Sequence, residues 1–364
     1  MGTNRKPFAA GAICAAAWTF LAGCGQEDGA AAGSTVAGID SSSNPIAVDP
    51  KDTSGTKTKG LLRDLHPQDA GMGSDSTVLF YSGFEEGFAG WGWHNSEPDR
   101  MAVESATGMA HGGSRYLRAS VARAHLKAEQ YVSSQAQAPL AKSVAEIFFR
   151  FHARFVGKTA TPHHWVRVAA GTSDFQSDGL ANTVPAGDKG FWFDLDGRSG
   201  DIFAFYVYWY KMRSGRCNDG TAVPGCAGDQ ETTYHYGNNF VPRGQIPFPR
   251  DKWFCLEIRA KANAVGKSDG SLALWQNDTL VGEYKPGSPR GRWLRDNFFT
   301  WGDYYRPDQD FEGFDFRSSD AVQFKRVVLD AYYQENTLSD SAPDIQTILY
   351  DDVVVATSRV GCRK

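Results

Sequence analysis

One run of alternating residues, Phe148–Phe155, has the composition of a strand with one chemically distinctive face. Side chains alternate between the faces of a strand, so one face, which packs in a core, holds Phe149, Phe151, Ala153 and Phe155. The basic members on the other face are Arg150, His152 and Arg154. Two guanidinium groups flanking an imidazole suit an anion, and we expect this face to form the floor of a binding groove. The alternative is that the arginines pair with carboxylates on neighbouring strands.

A second polar strand is predicted at Pro162–Val168, whose two valines would face the core. The same alternation places a second group of side chains on the polar side: His163, Trp165 and Arg167. We therefore expect adjacent strands to stack aromatic and cationic groups on one surface.

Three tyrosines occupy alternate positions within Ile202–Met212. The residues on that face are Tyr206, Tyr208 and Tyr210. Such a row can lie at the edge of the core, with the rings packed and the hydroxyls in solvent. It can also be a platform whose rings cover the apolar faces of sugars. The preceding run, Phe191–Asp196, is predicted to pair with it as a hairpin. Its Asp194 and Asp196 would share a face roughly 7 Å apart, which suits an ion near the turn.

Many short strands separated by turn residues predict an all-β fold, a two-sheet antiparallel sandwich. No long helical pattern is present, and Ala122–Gln130 fits a short helix or a strand equally well. The other predicted strands are Thr77–Tyr81, Ala145–Phe155, Trp253–Ala260, Ser271–Gln276, Leu280–Tyr284, Phe324–Tyr333 and Ile348–Ala356.

The N-terminus indicates export. Arg5 and Lys6 precede an apolar run that is too short to span a bilayer, as in a secretory signal. The run ends in Leu-Ala-Gly-Cys, which resembles a bacterial lipobox and implies cleavage after residue 23 and acylation of Cys24. Gly25 follows, so we expect an outer-membrane or cell-surface lipoprotein. Residues 24–76 are rich in small and polar residues and predict a disordered linker, leaving 77–364 as the folded domain.

The balance of charge argues against a nucleic-acid partner. The sequence has 38 basic and 42 acidic residues, and removal of the signal takes away two basic ones, which leaves 36 against 42 and a formal charge of −6. Any site for an anion must therefore be local.

Four cysteines remain after the signal and Cys24 are set aside, and they allow three pairings. Cys217 and Cys226 flank a loop of turn residues, so this near pair should close a hairpin tip. Cys255 would then pair with Cys362 and clamp the last strand to the body. No cysteine spacing suits zinc.

Three strand motifs follow Phe203: W-x-C-x-E at Trp253–Glu257, D-G-x-L-x-L-W at Asp269–Trp275 and D-D-V-V-V at Asp351–Val355. With their flanking runs they resemble a family of exported bacterial proteins with a concanavalin A-like jelly roll, similar in form to polysaccharide lyases and laminin-G-like lectin domains. The resemblance covers about Phe203–Cys362, with fold-level likeness back to Thr77. It implies a jelly-roll sandwich, a fold that hosts hydrolases, lyases and lectins alike.

The resemblance also implies a structural calcium site, in which an early acid joins an acid of the last strand. Glu85 with Asp351 or Asp352 would be the matching pair. Calcium takes six to eight oxygen ligands, so further ligands would be needed. No cofactor is required for the chemistry considered next.

The resemblance suggests which residues could act in β-elimination on a uronic acid, since jelly-roll lyases neutralise the carboxylate and supply a base and an acid. The candidates are Arg150, Arg154 and Arg167 as neutralisers, His152 or His163 as base, Tyr206, Tyr208 or Tyr332 as acid, and Trp165, Tyr210 and Gln334 as substrate-binding residues. The Q-x-H and Y-F-K-x-G strands of alginate lyases are absent, as is the E-x-D-x-x-E strand of the hydrolases.

The sequence thus predicts a monomeric, lipid-anchored lyase acting on an acidic polysaccharide. A non-catalytic carbohydrate-binding lipoprotein explains the aromatic residues and the tether as well, and a structural role in the envelope is the third possibility.

Overall fold

The computed structural model describes residues 60–177, 179–215, 235–301 and 308–363. The predicted signal peptide, Cys24 and the Cys217–Cys226 pair lie outside the described residues and stay predictions.

Eighteen strands are found in the described ranges. The first nine are β1 Val78–Ser82, β2 Trp93–His94, β3 Met101–Glu104, β4 Tyr116–Ala122, β5 Tyr131–Val144, β6 Glu146–Phe155, β7 His164–Gly171, β8 Gly190–Arg198 and β9 Ile202–Tyr208. The second nine are β10 Asn238–Phe240, β11 Phe254–Lys261, β12 Ser271–Gln276, β13 Thr279–Tyr284, β14 Arg290–Leu294, β15 Asn297–Phe299, β16 Gln309–Asp310, β17 Gln323–Gln334 and β18 Ile345–Ala356.

Helical structure is limited to short segments, and within the described part of the chain none is long and apolar enough to cross a membrane. The segments are α1 Leu62–Leu65, α2 Arg123–Glu129 and the 3-10 turns Pro67–Asp69, Met72–Ser74 and Glu335–Thr337. The ambiguous run at Ala122–Gln130 is therefore a helix.

Over the described residues the strands form two sheets. Sheet A has the order β13-β12-β11-β6-β18-β4-β3, with β1 also paired to β18. Sheet B has the order β16-β14-β15-β10-β9-β8-β7-β17-β5-β2. The predicted all-β jelly-roll sandwich is confirmed, although β10 and β15 pair in parallel while the other strand pairs are antiparallel.

The core lies between the sheets and is densely aromatic. Along β6 the predicted apolar face is buried, including Phe151 and Phe155. Trp165 of β7 reaches across from sheet B, with its ring 5.3 Å from that of Phe151 and 5.4 Å from that of Phe155. Aromatic side chains bury large areas, so this contact between the sheets is a major source of stability.

The folded domain begins earlier than residue 77. Leu62 and Met72 are buried against Val354 and Val360 of the C-terminal segment. The prediction that the linker extends to residue 76 is therefore wrong for residues 60–76. Composition indicated a linker, but a few apolar side chains suffice to dock a short segment on an existing surface.

The predicted bridge between Cys255 on β11 and Cys362 is confirmed. It closes a sequence separation of 107 residues. Under the chain-entropy account a loop of this length contributes about 4–5 kcal/mol. The bridge fixes the C-terminal tail, whose Val360 N–H donates to the buried carboxylate of Glu257 at 2.6 Å.

Candidate active site on the outer face of sheet B

The structure separates the predicted site residues onto opposite surfaces. Arg150 and His152 lie on β6, so they face away from the core on the outer side of sheet A. Arg167, Tyr206 and Tyr332 lie on β7, β9 and β17, on the outer side of sheet B. The prediction of one common groove is wrong, because alternation along a strand does not reveal which sheet the strand joins.

The basic face of β6 is not an anion site. Arg150 is fully buried and donates to both carboxylate oxygens of Asp69 at 2.7 Å. His152 is buried and stacks on His111 with ring centroids 3.7 Å apart. Burial and the charge of Arg150 hold the pKa of His152 well below its ordinary value. The polar-pair alternative is therefore the one observed, and Arg150 and His152 cannot contact a polysaccharide.

Arg154, the third basic residue of β6, lies on the same surface. Its Nη1 is 3.8 Å from the sulfur of Met109. It therefore does not join Arg167 on the opposite side of the molecule.

The acids predicted to bind calcium accept hydrogen bonds from other residues of the protein instead. Glu85 accepts from the N–H of Ser114 at 2.8 Å and from that of Arg115 at 2.9 Å. Asp352 lies 2.6 Å from His111 Nδ1 and accepts from Arg363 Nη1 at 2.6 Å. These residues do not fit a calcium site, because a guanidinium group already neutralises Asp352 and calcium needs several further oxygens.

A β-bulge in β7 determines which side chains of that strand face outward. His164 pairs with Asp196 and Arg167 with Asp194, so three steps along β7 match two along β8. The extra residue brings His164 and Arg167 to the same face. Trp165 is turned into the core and is fully buried, so its predicted contact with substrate is wrong.

Four side chains on the outer face of sheet B form what we call the acid–imidazole cluster: His164, Arg167, Asp194 and Asp196. His164 Nδ1 lies 2.7 Å from Asp196 Oδ1 and 3.5 Å from Asp194 Oδ2. Arg167 donates to the two oxygens of Asp194 at 2.8 and 3.1 Å. Burial lowers the pKa of His164, but the charges of Asp196 and Asp194 outweigh burial and raise it.

Aromatic rings extend from this cluster along the sheet. The ring of His164 lies 5.1 Å from that of Tyr332 and 5.2 Å from that of Tyr206. Tyr208 stacks on Trp192 at 4.4 Å, and the Arg167 guanidinium lies 4.5 Å above Trp192. Burial raises the pKa of Tyr208 to about 12 and that of Tyr206 further, so both phenols stay protonated at neutral pH.

His163 and Tyr332 form the other edge of the face. Their ring centroids are 5.8 Å apart, and His163 lies 4.2 Å from His164. Burial and the charge of His164 lower the pKa of His163 to about 4, which leaves its imidazole neutral at pH 7. Gln334 donates to the Tyr332 hydroxyl at 3.3 Å.

Tyr210 does not continue the row of tyrosines. β9 ends at Tyr208, and a Cβ added to Gly187 would lie 2.7 Å from the Tyr210 ring. Tyr210 thus packs on Gly187 rather than beside Tyr208, and its predicted place on the tyrosine platform is wrong because strand alternation stops where β9 ends.

Asp330 of β17 is a buried acid on the same face. It accepts from Ser133 Oγ at 2.6 Å and from Gln135 Nε2 at 3.0 Å. Burial raises the pKa of Asp330 to about 7, although the charge of Arg167 opposes the rise. Near neutral pH this carboxyl is therefore partly protonated.

Sequence reasoning missed the roles of His164, Trp192 and Asp330. The alternation of Phe191–Asp196 would have placed Trp192 beside Asp194 and Asp196, and that of Phe324–Tyr333 placed Asp330 with Tyr332. His164 gave no such signal, because its orientation depends on the bulge.

The fold and side chains define a jelly-roll sandwich with a histidine, tyrosine and carboxylate surface on one sheet. No protein-family model matches the chain. No curated protein matches it either.

Solved structures share the fold at low identity. An endo-β-1,4-glucuronan lyase from the fungus Trichoderma reesei is 11% identical over 78% of this chain and 96% of that one, with a TM-score of 0.46. An alginate lyase from a Chlorella virus is 11% identical over 77% and 99%, with a TM-score of 0.48. An alginate lyase from Aplysia kurodai is 13% identical over 77% and 97%, with a TM-score of 0.47. At these values an activity has to be argued from the site itself.

Proposed function

We propose that this chain is a polysaccharide lyase that cleaves a uronate-containing polysaccharide by β-elimination on the outer face of sheet B. The observation that carries the proposal is the convergence of His163 and His164 with Tyr206 and Tyr332 from three strands that are separate in sequence. A base, an acid and cationic groups are the parts that the reaction needs.

His163 is the proposed base and Tyr332 the proposed acid. His163 takes the C5 proton of the uronate, the C4–O bond breaks as a C4=C5 double bond forms, and the Tyr332 hydroxyl protonates the departing glycosidic oxygen. The Tyr332 phenolate then recovers a proton from solvent and His163 returns its own. His164, whose Nδ1 is held by Asp196 at 2.7 Å, donates a hydrogen bond from its Nε2–H to the substrate carboxylate.

The aromatic rings supply a surface for neighbouring sugar units. Tyr206 and Tyr332 are the partly exposed rings, and flat rings cover the apolar faces of sugars. Tyr208 and Trp192 are only 3% and 4% exposed, so they support Tyr206 from within the protein and do not contact the sugar. We also propose that Cys24 anchors the protein to a bacterial outer membrane or cell surface as a monomer. Loss of acyl labelling in a Cys24→Ala variant would support the anchor, and retained labelling would exclude it.

Carbohydrate binding without catalysis is the second candidate, and one observation favours it. Arg167, the cation best placed to neutralise a uronate, already donates hydrogen bonds of 2.8 and 3.1 Å to Asp194. A paired guanidinium stabilises a new anion less than an unpaired one does.

A panel of polyuronates separates the two candidates. The purified protein is incubated with glucuronan, alginate, hyaluronan and pectate, and unsaturated ends are followed by their near-ultraviolet absorbance. A lyase produces a rise with at least one polymer. A flat absorbance with all four, together with retardation in an affinity gel containing one of them, would establish binding without elimination.

A further inference from the structure

The acid–imidazole cluster has the ligand set of a metal site. His164 Nδ1 and oxygens of Asp194 and Asp196 all lie within 4.8 Å of one another. Tetrahedral ligands that share one ion at 2.0–2.3 Å lie about 3.3–3.8 Å apart, so the three atoms need movements of about 1 Å to reach a common centre. We propose that His164, Asp194 and Asp196 bind a divalent transition-metal ion of the Zn²⁺ or Mn²⁺ class, which receives the substrate carboxylate; this rests on the proposed function.

A buried oxygen without a hydrogen bond supports the site independently. Asp196 is only 1% exposed, and no hydrogen bond from the described residues reaches its Oδ2. Arg198 Nη2 lies 4.0 Å from this oxygen, which is beyond hydrogen-bonding distance. Buried carboxylate oxygens are costly to leave unsatisfied, and a bound cation is one way to satisfy them.

The charge of the cluster points the same way. The carboxylates of Asp194 and Asp196 lie against two guanidinium groups: Arg167 donates to Asp194, and Arg198 Nη2 lies 4.0 Å from Asp196 Oδ2. With a neutral His164 these charges balance, so the cluster offers no net positive charge to a uronate. A divalent ion would make the charge positive at the place where the carboxylate must bind.

The donors select the class of ion. An imidazole nitrogen with two carboxylates suits Zn²⁺ or Mn²⁺, whereas calcium takes oxygen ligands. Three protein ligands leave a position open for a substrate oxygen. His164 keeps 17% of its side chain exposed, which gives solvent access, and Arg167 holds Asp194 from the second coordination shell.

A second group of two histidines and an aspartate, on the outer face of sheet A, does not fit a metal site. His111, His152 and Asp352 also lie within 4.8 Å. Arg150 Nη1, however, lies 3.4 Å from His152 Nδ1, and Arg363 donates to Asp352. Both carboxylate oxygens of Asp352 thus have partners, His111 and Arg363, whereas Asp196 Oδ2 has no hydrogen bond from the described residues. His111 therefore provides a matched control.

The test uses protein without a polyhistidine tag, dialysed against EDTA and then against metal-free buffer. Calorimetric titration with Zn²⁺ should show one saturable site per chain, and Ca²⁺ at the same concentration should show none. We expect Asp196→Asn and His164→Ala to weaken Zn²⁺ binding at least tenfold and His111→Ala to leave it unchanged. Absence of a saturable Zn²⁺ site, or its loss only in His111→Ala, would overturn the proposal.

Wild-type protein gives a second readout in case a variant does not fold. Pulsed electron paramagnetic resonance of added Mn²⁺ should show coupling to an imidazole nitrogen, and coupling to none would contradict the site. The outcome is separate from that of the lyase proposal. Zn²⁺ binding without elimination on any polymer would exclude the lyase proposal and support the metal site. Full activity in EDTA without Zn²⁺ binding would exclude the metal site and support the lyase proposal.

Discussion

Individual residues in this protein owe their properties to the partner that the fold provides. Arg150 and Arg167 look equivalent in sequence, since each alternates with apolar neighbours on a predicted strand. Arg150 pairs with Asp69 in a fully buried position, whereas Arg167 pairs with Asp194 next to an accessible histidine. The residue types were predictable as polar, but their partners come from distant positions that no local pattern specifies.

Removing Arg150 should therefore destabilise the protein rather than weaken binding. Arg150→Ala leaves the carboxylate of Asp69 buried without its partner, and we expect a loss of about 3–5 kcal/mol in the free energy of unfolding. Chemical denaturation measures the loss. Arg290→Ala, which breaks an exposed pair with Asp310, should cost no more than about 1 kcal/mol. Equal losses in the two variants would contradict the burial argument.

Asp330 should make stability fall as pH rises. Its pKa is raised to about 7 in the folded state, so between about pH 4 and 7 the unfolded chain loses this proton while the folded chain keeps it. Above pH 7 the carboxyl of Asp330 is ionised in both states, and the cost of burying its charge lowers the free energy of unfolding by its full amount. We expect Asp330→Asn to reduce the difference in unfolding free energy between pH 5 and pH 8 by about 2–3 kcal/mol.

Denaturation in EDTA at both pH values measures this effect without interference from metal ions. The exposed Asp340→Asn serves as the control and should leave the pH dependence as it is. An Asp330→Asn protein with the wild-type pH profile would show that the carboxyl titrates normally.

At the scale of elements, the strands were predictable and their pairing was not. Alternation of apolar residues identified β6, β8, β9 and β17 closely, and turn residues marked the hairpin between β8 and β9. The bulge in β7 has no signal in the strand itself, because it exists only relative to β8. The site therefore differs from the prediction mainly through one register shift and one wrong sheet assignment.

The segment before β10 should be sensitive to a single methyl group. A Cβ added to Gly237 would lie 2.7 Å from atoms of the Tyr206 ring, which is closer than packed atoms approach. Gly237→Ala should displace Tyr206, lower the unfolding free energy by about 1–3 kcal/mol and raise KM for the polysaccharide. Gly60, with nothing within 4 Å, provides the Gly60→Ala control. Unchanged kinetics in Gly237→Ala would exclude Tyr206 from the substrate surface.

At the scale of the molecule, the two outer faces of the sandwich differ in how far their polar side chains are covered. The outer face of sheet A is covered by residues 60–76 and by the tail that the Cys255–Cys362 bridge holds, and its charges are paired internally. On the outer face of sheet B, His163, His164, Tyr206 and Tyr332 are partly exposed. Composition and cysteine count predicted an exported, disulfide-linked all-β domain. The difference between the two faces depends on which sheet each strand joins, which only the topology shows.

A matched pair of histidine variants tests this division most directly. With whichever polyuronate gives unsaturated ends, His163→Ala should lower kcat about 10²–10⁴-fold at an unchanged melting temperature, because it removes the base. His152→Ala, on the opposite face, should keep kcat within about threefold when assayed well below its melting temperature. Loss of activity in His152→Ala with retention in His163→Ala would contradict the assignment of the site to sheet B.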